Sequence, residues 1–559
     1  MFRTVYAGGS LALLVLLAAG PCRGQQFRGA LTGTVTDNQS AVIPGVRVAA
    51  ISLETGGRSQ TASTATGNYT LPNLAPGFYR VEAEAANFKR HVLERIQVRS
   101  NEQTGLDITL EIGQVVETVT VSAATPVLIT TTASSGQVIE ERQIAAMPMN
   151  GRTPLMLAQL AFGVIPTSDP RFTRPFDNAG PAGFSMGGAP GQSNELLLDG
   201  SPDTTRNRRV AYNPPVDTVQ EVKVESFQAD AAYGNTGGGT VNVVSRGGTN
   251  QFHGNAYNFN QVSRLAATDF FVNRSGGKKG KLVFNQWGVN GGGPLIVPKV
   301  VNGRNRVFWY FAYEGIKDSF PEPFQTTVPT EAMRRGDFSQ LLNVGSNFQI
   351  FDPATGVREG DRIRRQPFPN NGIPQNRLSQ VAQNTLGFFP MPNQPGEADG
   401  RNNFQVNTSR GDDFFSTLGR LDFNISDNHK LFWNFRHNER TEFRGFAFGQ
   451  DNISNGNFLK RINWGSTLDD VYTISPTLIV NTRLNWTRFT EGSVRPSLGF
   501  DMTSLGFPAS LAAASTQAVF PRFDFDDFRD LGDTGSLPFP FDNFQIFSTF
   551  TKIAGSHTL

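Results

Sequence analysis

From residue 251 onward the chain repeats one pattern, alternation with period two, and no other feature limits its folding so tightly. Leu478, Val480, Leu484 and Trp486 share one parity, with Thr482 among them, while Asn481, Arg483, Asn485 and Thr487 hold the other. Phe415, Thr417, Leu421, Phe423 and Ile425 alternate with Ser416, Arg420, Asp422 and Asn424. Leu431, Trp433 and Phe435 alternate with Asn434, Arg436 and Asn438, and Val307, Trp309, Phe311 and Tyr313 add an aromatic stripe. Successive side chains of a strand point to opposite faces, so each segment has one apolar and one polar side. A large antiparallel sandwich in water satisfies that pattern. So does a wall of strands with lipid on one side, crossed by segments of about ten residues.

The links between segments discriminate between the two. Asp427-Asn428-His429-Lys430 and Ser475-Pro476-Thr477 read as tight turns. Roughly ninety residues separate Ile316 from Asp412, a connection too long for most compact soluble domains. Tight turns on one side and extended loops on the other are the pattern of outer-membrane barrels.

Bulk properties narrow the classes further. The 559 residues carry 50 Lys and Arg against 48 Asp and Glu, which gives no electrostatic case for nucleic acid. Abundant Gly (58), Phe (46) and Pro (33) favour strands and turns over helices. Met1-Phe2-Arg3, the apolar run Leu11 to Ala19 and the small residues before Gln25 read as a secretory signal peptide, residues 1–24. Cys22, the single cysteine, falls inside it, so the mature chain is expected to be exported without disulfides. Beyond residue 25 no apolar stretch of about 18 residues occurs, so residence in a membrane requires a barrel.

Residues 27–112 read as a small β-sandwich. Leu31 to Thr36, Val46 to Ile51, Gly77 to Ala83 and Leu106 to Leu110 alternate between turn signals such as Asp37-Asn38, Pro44-Gly45 and Ala75-Pro76-Gly77. Residues 113–132 hold the strand-like Glu117-Thr118-Val119-Thr120-Val121, either an ordinary strand or a peptide able to pair with a partner's sheet edge. In residues 133–250, Ile139 to Met147 and Thr153 to Leu160 have helical spacing, and Asn194 to Gly200 reads as a strand ending in a tight turn. Gly237-Gly238-Gly239 invites a phosphate-loop reading, but the β-branched Thr240 to Ser245 follows where that loop needs a helix.

Several motifs in fixed order resemble a known family. Gly33-Thr34-Val35-Thr36-Asp37, Gly67-Asn68-Tyr69 and Leu74 to Tyr79 are similar to the carboxypeptidase-regulatory-like domain, an immunoglobulin-like sandwich. Met147 to Arg152, Leu197 to Gly200, Val219 to Val224, Ala232-Tyr233-Gly234, Gly238 to Val244, Gly248 to Gly254, Asn285 to Gly288, Gly291 to Leu295 and Phe308 to Gly315 follow. Together they resemble a TonB-dependent outer-membrane receptor of the Oar-like subgroup. The resemblance implies a mainly β chain: an N-terminal Ig-like β-sandwich, an α+β plug domain (133–250) and the first part of a transmembrane antiparallel β-barrel (251–559). It implies that Glu117, Thr118, Val119, Thr120 and Val121 form a TonB box, and that Asn150, Gly151, Arg152, Asp199, Gly200, Gly238 and Gly239 carry plug motifs. The glycines are expected to let the last plug strands turn without crowding.

The implied function is energy-coupled uptake of an unidentified ligand, with adhesion or binding without transport as the alternative. The implied partners are the periplasmic TonB energy-transducing complex, outer-membrane lipid and an extracellular ligand. The implied place is the outer membrane of a Gram-negative type bacterium, with sandwich and plug facing the periplasm. Such barrels have about 22 strands. About seven or eight are legible before Leu559, so the sequence reads as a fragment, with a natural truncation as the alternative. No cofactor or enzyme activity is expected. His91 and Glu94 have the spacing of a zinc pair but lack the further ligands a catalytic site needs. The run Phe523 to Phe528 lacks calcium-loop spacing and reads as an exposed loop.

Overall fold

A computed structural model of the protein describes residues 28–113, 118–122, 135–147, 149–167, 174, 176–177, 183–227, 234–268, 270–274, 279, 282–532, 538–554 and 557–558. The expected signal peptide, Glu117 and the Ala232-Tyr233 pair lie outside these residues.

The N-terminal unit is a sandwich of two sheets. One contains β1 (Gly29–Asp37), β4 (Asn68–Leu74), β7 (Gln103–Gly105) and β8 (Ile108–Leu110). The other runs β3 (Arg58–Ala62), β2 (Arg47–Ser52), β5 (Gly77–Glu84), β6 (Arg90–Val98), β9 (Thr118–Ser122). Alternate residues of both sheets, among them Leu31, Val35, Val48, Ala50, Tyr69, Leu71, Val81 and Ile96, fill the space between.

A five-stranded sheet follows, in the order β10 (Ser135–Glu140), β15 (Val219–Phe227), β16 (Thr240–Ser245), β13 (Glu195–Leu198), β14 (Ser201–Pro202). Only β13 and β16 run parallel. Every residue of β16 is buried, so the sheet is covered on both faces. A small pair, β11 (Val164–Pro166) and β12 (Phe184–Met186), packs beside it. The expected helix over Ile139 to Met147 begins only at Glu141, because Ile139 pairs with Val222 in the sheet and Glu140 forms a capping box with Gln143. Pro154–Leu160 is a 3-10 helix rather than an α-helix. Its first residue, Pro154, offers no N–H, and the segment is long enough for only two tight turns.

Seven residues after β16 ends, the alternating region begins at β17 (His253–Val262). It continues through β18 (Val283–Pro294), a small hairpin of β19 (Ile296–Val297) and β20 (Val301–Asn302), and β21 (Val307–Thr326). After a loop containing the hairpin β22 (Val357–Glu359) and β23 (Arg362–Arg364) come β24 (Phe404–Ser426), β25 (His429–Arg444), β26 (Asn457–Ser475), β27 (Leu478–Val494), β28 (Phe539–Ala554) and β29 (His557–Thr558). Leaving out the two hairpins, each strand pairs antiparallel with the next to make one nine-stranded sheet. β21 and β24 through β28, of 16 to 23 residues, outrun the ten expected of them. β21 and β24 stay in register from Val307↔Phe423 to Thr326↔Phe404, which shortens the long connection to 327–403.

The burial pattern settles which face is which. In β27, Arg483 is 1% exposed and its neighbour Leu484 is 43% exposed. Asn434, Arg436, Asn463, Thr467, Asp469 and Asn485 are buried, while Trp433, Trp464, Phe544, Ile546 and Phe550 are exposed. A sheet in water would do the reverse. Polar-in and apolar-out is the arrangement of a wall whose outer face meets hydrocarbon. The connections sort equally cleanly. The connections that follow β17, β21, β25 and β27 start from one end of the wall, and 295–306, 427–428 and 476–477 leave the other.

Candidate functional site

The implied plug residues gather where the inner sheet meets the wall. Asp199 and Gly200 form the two-residue turn between β13 and β14, with φ of 50° and 70°. Two positive values suit a type I′ turn, which Asp-Gly adopts readily. The turn leaves Asp199 fully buried and aimed at the wall. Its carboxylate accepts from Ser245 N–H (2.8 Å), the Ser245 hydroxyl (2.7 Å) and Asn434 Nδ2 of β25 (2.7 Å). Arg420 Nη1 of β24 lies 3.7 Å away and donates to the Ser245 carbonyl at 2.9 Å.

Gly200 is held from the other side. Its N–H donates to Asn242 Oδ1 (3.0 Å), and its carbonyl accepts from Arg483 Nη1 of β27 (2.9 Å). Arg483 also donates through Nε to Asp469 Oδ2 of β26 (3.0 Å), and Asp469 Oδ1 takes Arg28 Nη2 (2.7 Å). Arg28 stands directly before β1 of the sandwich. One buried chain of charge-assisted hydrogen bonds therefore joins sandwich, wall and plug. Sequence reasoning reached Asp199 and Gly200 through motifs but missed Arg28, Asp469 and Arg483. The signal available was parity: Arg483 and Asp469 both fall on the polar side of their strands.

Arg152 has φ of 53° and follows Gly151 at 73°. Its guanidinium pairs with Asp217 (2.7 Å) and sits 4.8 Å from the rings of Tyr257 and Phe259 on β17. Asn150 opens the same 3-10 turn. This turn borders a cavity of about 600 Å³ between the inner sheet and β17 and β18, lined also by Met147, Met149, Arg246 and Gln286. Gly238 and Gly239 act differently from the expectation that they make a tight turn. Neither has positive φ. A Cβ on Gly238 would press on Asn194 and Ala189, and one on Gly239 would overlap the Glu225 carbonyl and the Met186 sulfur. Close approach of neighbouring chain, not turning, demands glycine here.

β9 (Thr118–Ser122), which contains Thr118 to Val121 of the implied TonB box, pairs in parallel with β6, from Arg90↔Thr118 to Glu94↔Ser122. It is an edge strand, so its far side is without a strand partner among the described residues. Below it the sandwich grips the inner sheet. Ser100 N–H donates to Glu221 (2.8 Å), Asn101 Nδ2 to Glu225 (3.1 Å), and Lys223 Nζ to the Asn101 carbonyl (2.6 Å). Burial pushes the Glu221 carboxyl up to about 7, against the opposing pull of the Ser100 N–H and Lys223. Asp203, behind the Asp199 turn, is likewise raised by burial to about 7, with Arg436 and the Tyr212 N–H pulling it down.

No three His, Cys, Asp or Glu side chains converge as a metal site among the described residues. His91 and Glu94 sit half-buried on β6. Phe523 packs into an aromatic cluster of the loops with Phe388, Phe500 and Phe520, and Phe525 stacks on Phe523 at the rim.

A wall of antiparallel strands, apolar outside and gripping a folded stopper inside, defines a plugged outer-membrane barrel protein. The chain belongs to the outer membrane beta barrel domain family, which matches residues 244–559, and a carboxypeptidase regulatory-like domain matches residues 30–111. It is an outer-membrane protein. It is similar to the TonB-dependent transporter Oar of Myxococcus xanthus, 27% identical over 362 residues, which cover 61% of this chain and 32% of Oar. The chain thus spans about a third of that relative's length. Among solved structures, the outer membrane transporter YddB from Escherichia coli gives a TM-score of 0.45 at 9% identity, covering 76% of this chain and 47% of YddB. The siderophore receptor PirA from Acinetobacter baumannii gives 0.36 at 12% identity, covering 74% and 44%.

Two predictions follow from the geometry. Asp199→Ala leaves three buried donors, the Ser245 N–H and hydroxyl and the Asn434 amide, without their acceptor, while Arg420 keeps Asp422 at 2.8 Å, and it lowers the stability of the detergent-solubilised protein by about 1–3 kcal/mol in thermal unfolding. Raising pH loosens the joint at Glu221. Its folded value lies above the ordinary 4.5, so its stabilising contribution is complete below pH 4.5 and is lost as pH rises through about 7. Protection from hydrogen exchange at Ser100 and in β15, taken relative to the intrinsic base-catalysed rate at each pH, should fall between pH 5 and pH 8, and Glu221→Gln should flatten that fall.

Proposed function

We propose that the chain is the receptor end of an energy-coupled uptake system, in which a solute bound at the loop side passes the wall when the stopper is remodelled from the turn side. The observation that carries this reading is the polar character of the grip. Asp199, Arg420, Asn434, Arg483 and Asp469 hold the stopper through charged hydrogen bonds. Such buried pairs bring little net stability over their hydrated state, so they can be exchanged for lumen water at modest cost. A greasy joint of the same size would resist remodelling far more.

Oar, the similar transporter, is TonB-dependent, and the Thr118–Val121 strand supplies what a transducer of that kind requires. Short turns mark the periplasmic side of outer-membrane barrels. The sandwich sits there: Thr61 donates to the Pro476 carbonyl in the 476–477 turn, and Lys430 beside the 427–428 turn donates to Ser59. β9 therefore lies on the side from which TonB would reach it. The transducer adds the strand to its own sheet, either at the free edge of β9 or after β9 leaves β6, and main-chain hydrogen bonds carry the pairing. Pull then reaches the stopper through the chain that follows and through the sandwich contacts at Ser100 and Arg28.

Cysteine cross-linking tests this. With Cys22 in the expected leader, Val119→Cys or Thr120→Cys introduces a thiol where residues 25–559 have none. In cells it should form a disulfide with cysteines placed along the TonB edge strand. Adding Val121→Pro, which removes a backbone donor and breaks the strand, should abolish the cross-link. A chain that only adheres to surfaces gives no cross-link in either form.

A further inference from the structure

At the loop end of the wall a cavity of about 360 Å³ opens among β21, β25, β26 and the segment 522–532. Parity fixes which side of the wall it occupies. Glu322 and Phe324 have the parity of buried Tyr310 and Glu314, Arg444 that of buried Arg436 and Arg440, and Asn457 that of buried Asn463 and Asp469. The cavity therefore faces the lumen mouth, not lipid. Arg522 and Arg529 of the long loop roof it, and the roof is tied down where Gly532 N–H meets the Ser454 carbonyl (2.6 Å) and Arg529 N–H the Thr327 carbonyl (3.1 Å).

Its lining sets three guanidinium groups, Arg444, Arg522 and Arg529, against two carboxylates, Glu322 and Asp530. Among the described residues Arg444 has one loose ion pair, Glu442 at 3.8 Å, and Arg529 has none, its guanidinium lying 5.7 Å from the Phe324 ring. Arg522 pairs with Asp524, which is exposed. Each lining carboxylate accepts one backbone donor: Glu322 takes the Gly445 N–H (2.8 Å), and Asp530 takes the Phe525 N–H (2.9 Å). Asn455, 5% exposed, accepts from Phe448 N–H through Oδ1 (3.3 Å), while its Nδ2 is buried without an acceptor. A buried donor left unsatisfied carries a free-energy penalty that a bound acceptor removes.

We propose that this cavity binds an anionic oxygen group of the imported solute, a carboxylate or a phosphate, through Arg444, Arg522, Arg529 and the Asn455 amide. The proposal rests on the receptor reading above for the word imported, and on this cavity alone for the anion. Planar guanidinium groups suit either oxyanion by paired hydrogen bonds, and the amide adds the neutral donor that fixes orientation.

The test is calorimetric titration of the full-length protein in detergent with citrate and with pyrophosphate, using glucose as the neutral control. One of the two anions should bind, glucose should not, and affinity should fall as salt rises. Arg529→Gln and Arg444→Gln should each weaken binding about tenfold. Asn455→Asp, which keeps the acceptor for Phe448 and replaces the donor by a charge, should weaken it further. Purified lipopolysaccharide should not displace the anion, because the site faces the lumen. Absence of binding by both anions, equal binding by Arg529→Gln, or displacement by lipopolysaccharide would each overturn the proposal. Titration needs no transducer, so these outcomes are independent of the cross-linking result.

Discussion

A strand between hydrocarbon and a folded stopper must send its apolar side chains outward and find partners for every polar one sent inward. Lipid offers no hydrogen bonds, so backbone groups are satisfied strand to strand and side chains sort by parity. The middles of β25, β26 and β27 obey this: Asn434, Arg436, Asn463, Thr467, Arg483 and Asn485 are buried inside while Trp433, Trp464 and Leu484 are exposed outside. The consequence is an inner face crowded with arginine, asparagine and carboxylate, and those groups need acceptors and donors that water in a wide pore would otherwise supply. Here the stopper supplies many of them. The Asp199 turn, the Ser245 carbonyl and the Gly200 carbonyl complete what Arg420, Asn434 and Arg483 require.

That dependence explains the position of the other parts. The wall is not uniformly polar inside. Tyr310, Ala312 and Leu418 join the stopper's own apolar cluster with Leu155, Val222 and Val243, which sets one dry side of the joint against one charged side. The sandwich is anchored by the same means, Arg28 reaching Asp469 and the 99–102 turn reaching Glu221 and Glu225. A sheet that carries an edge strand such as β9 is thus mechanically continuous with both stopper and wall. At the far end, phenylalanines from three loops build a small core of their own and hold Arg522 and Arg529 over the mouth.

Much of this was legible in the sequence because period-two alternation survives any tertiary context that keeps strands half-lipid and half-buried. The tight turns at 427–428 and 476–477 and the Asp199-Gly200 turn were legible for the same local reason: residue type fixes turn geometry. The helix limits were not. Ile139 has helical spacing, yet sheet pairing with Val222 claims it. Nor could sequence find Arg28 at the head of the Arg28–Asp469–Arg483 chain: Asp469 and Arg483 face each other across neighbouring strands, but Arg28 lies 441 residues from Asp469 and meets it only when the sandwich docks on the wall. The loop cavity depends on a roof folded back at 522–532, and no local pattern announces such a return.

The most direct test is of parity itself. Single cysteines at Leu484 and Thr487, spin-labelled in lipid bilayers, report collisions with oxygen, which concentrates in hydrocarbon, and with a water-soluble nickel chelate. The label at Leu484 should collide freely with oxygen and hardly with nickel, and the label at Thr487 should be shielded from oxygen. A label at Leu484 that meets the nickel chelate as readily as one on an exposed loop would contradict the account.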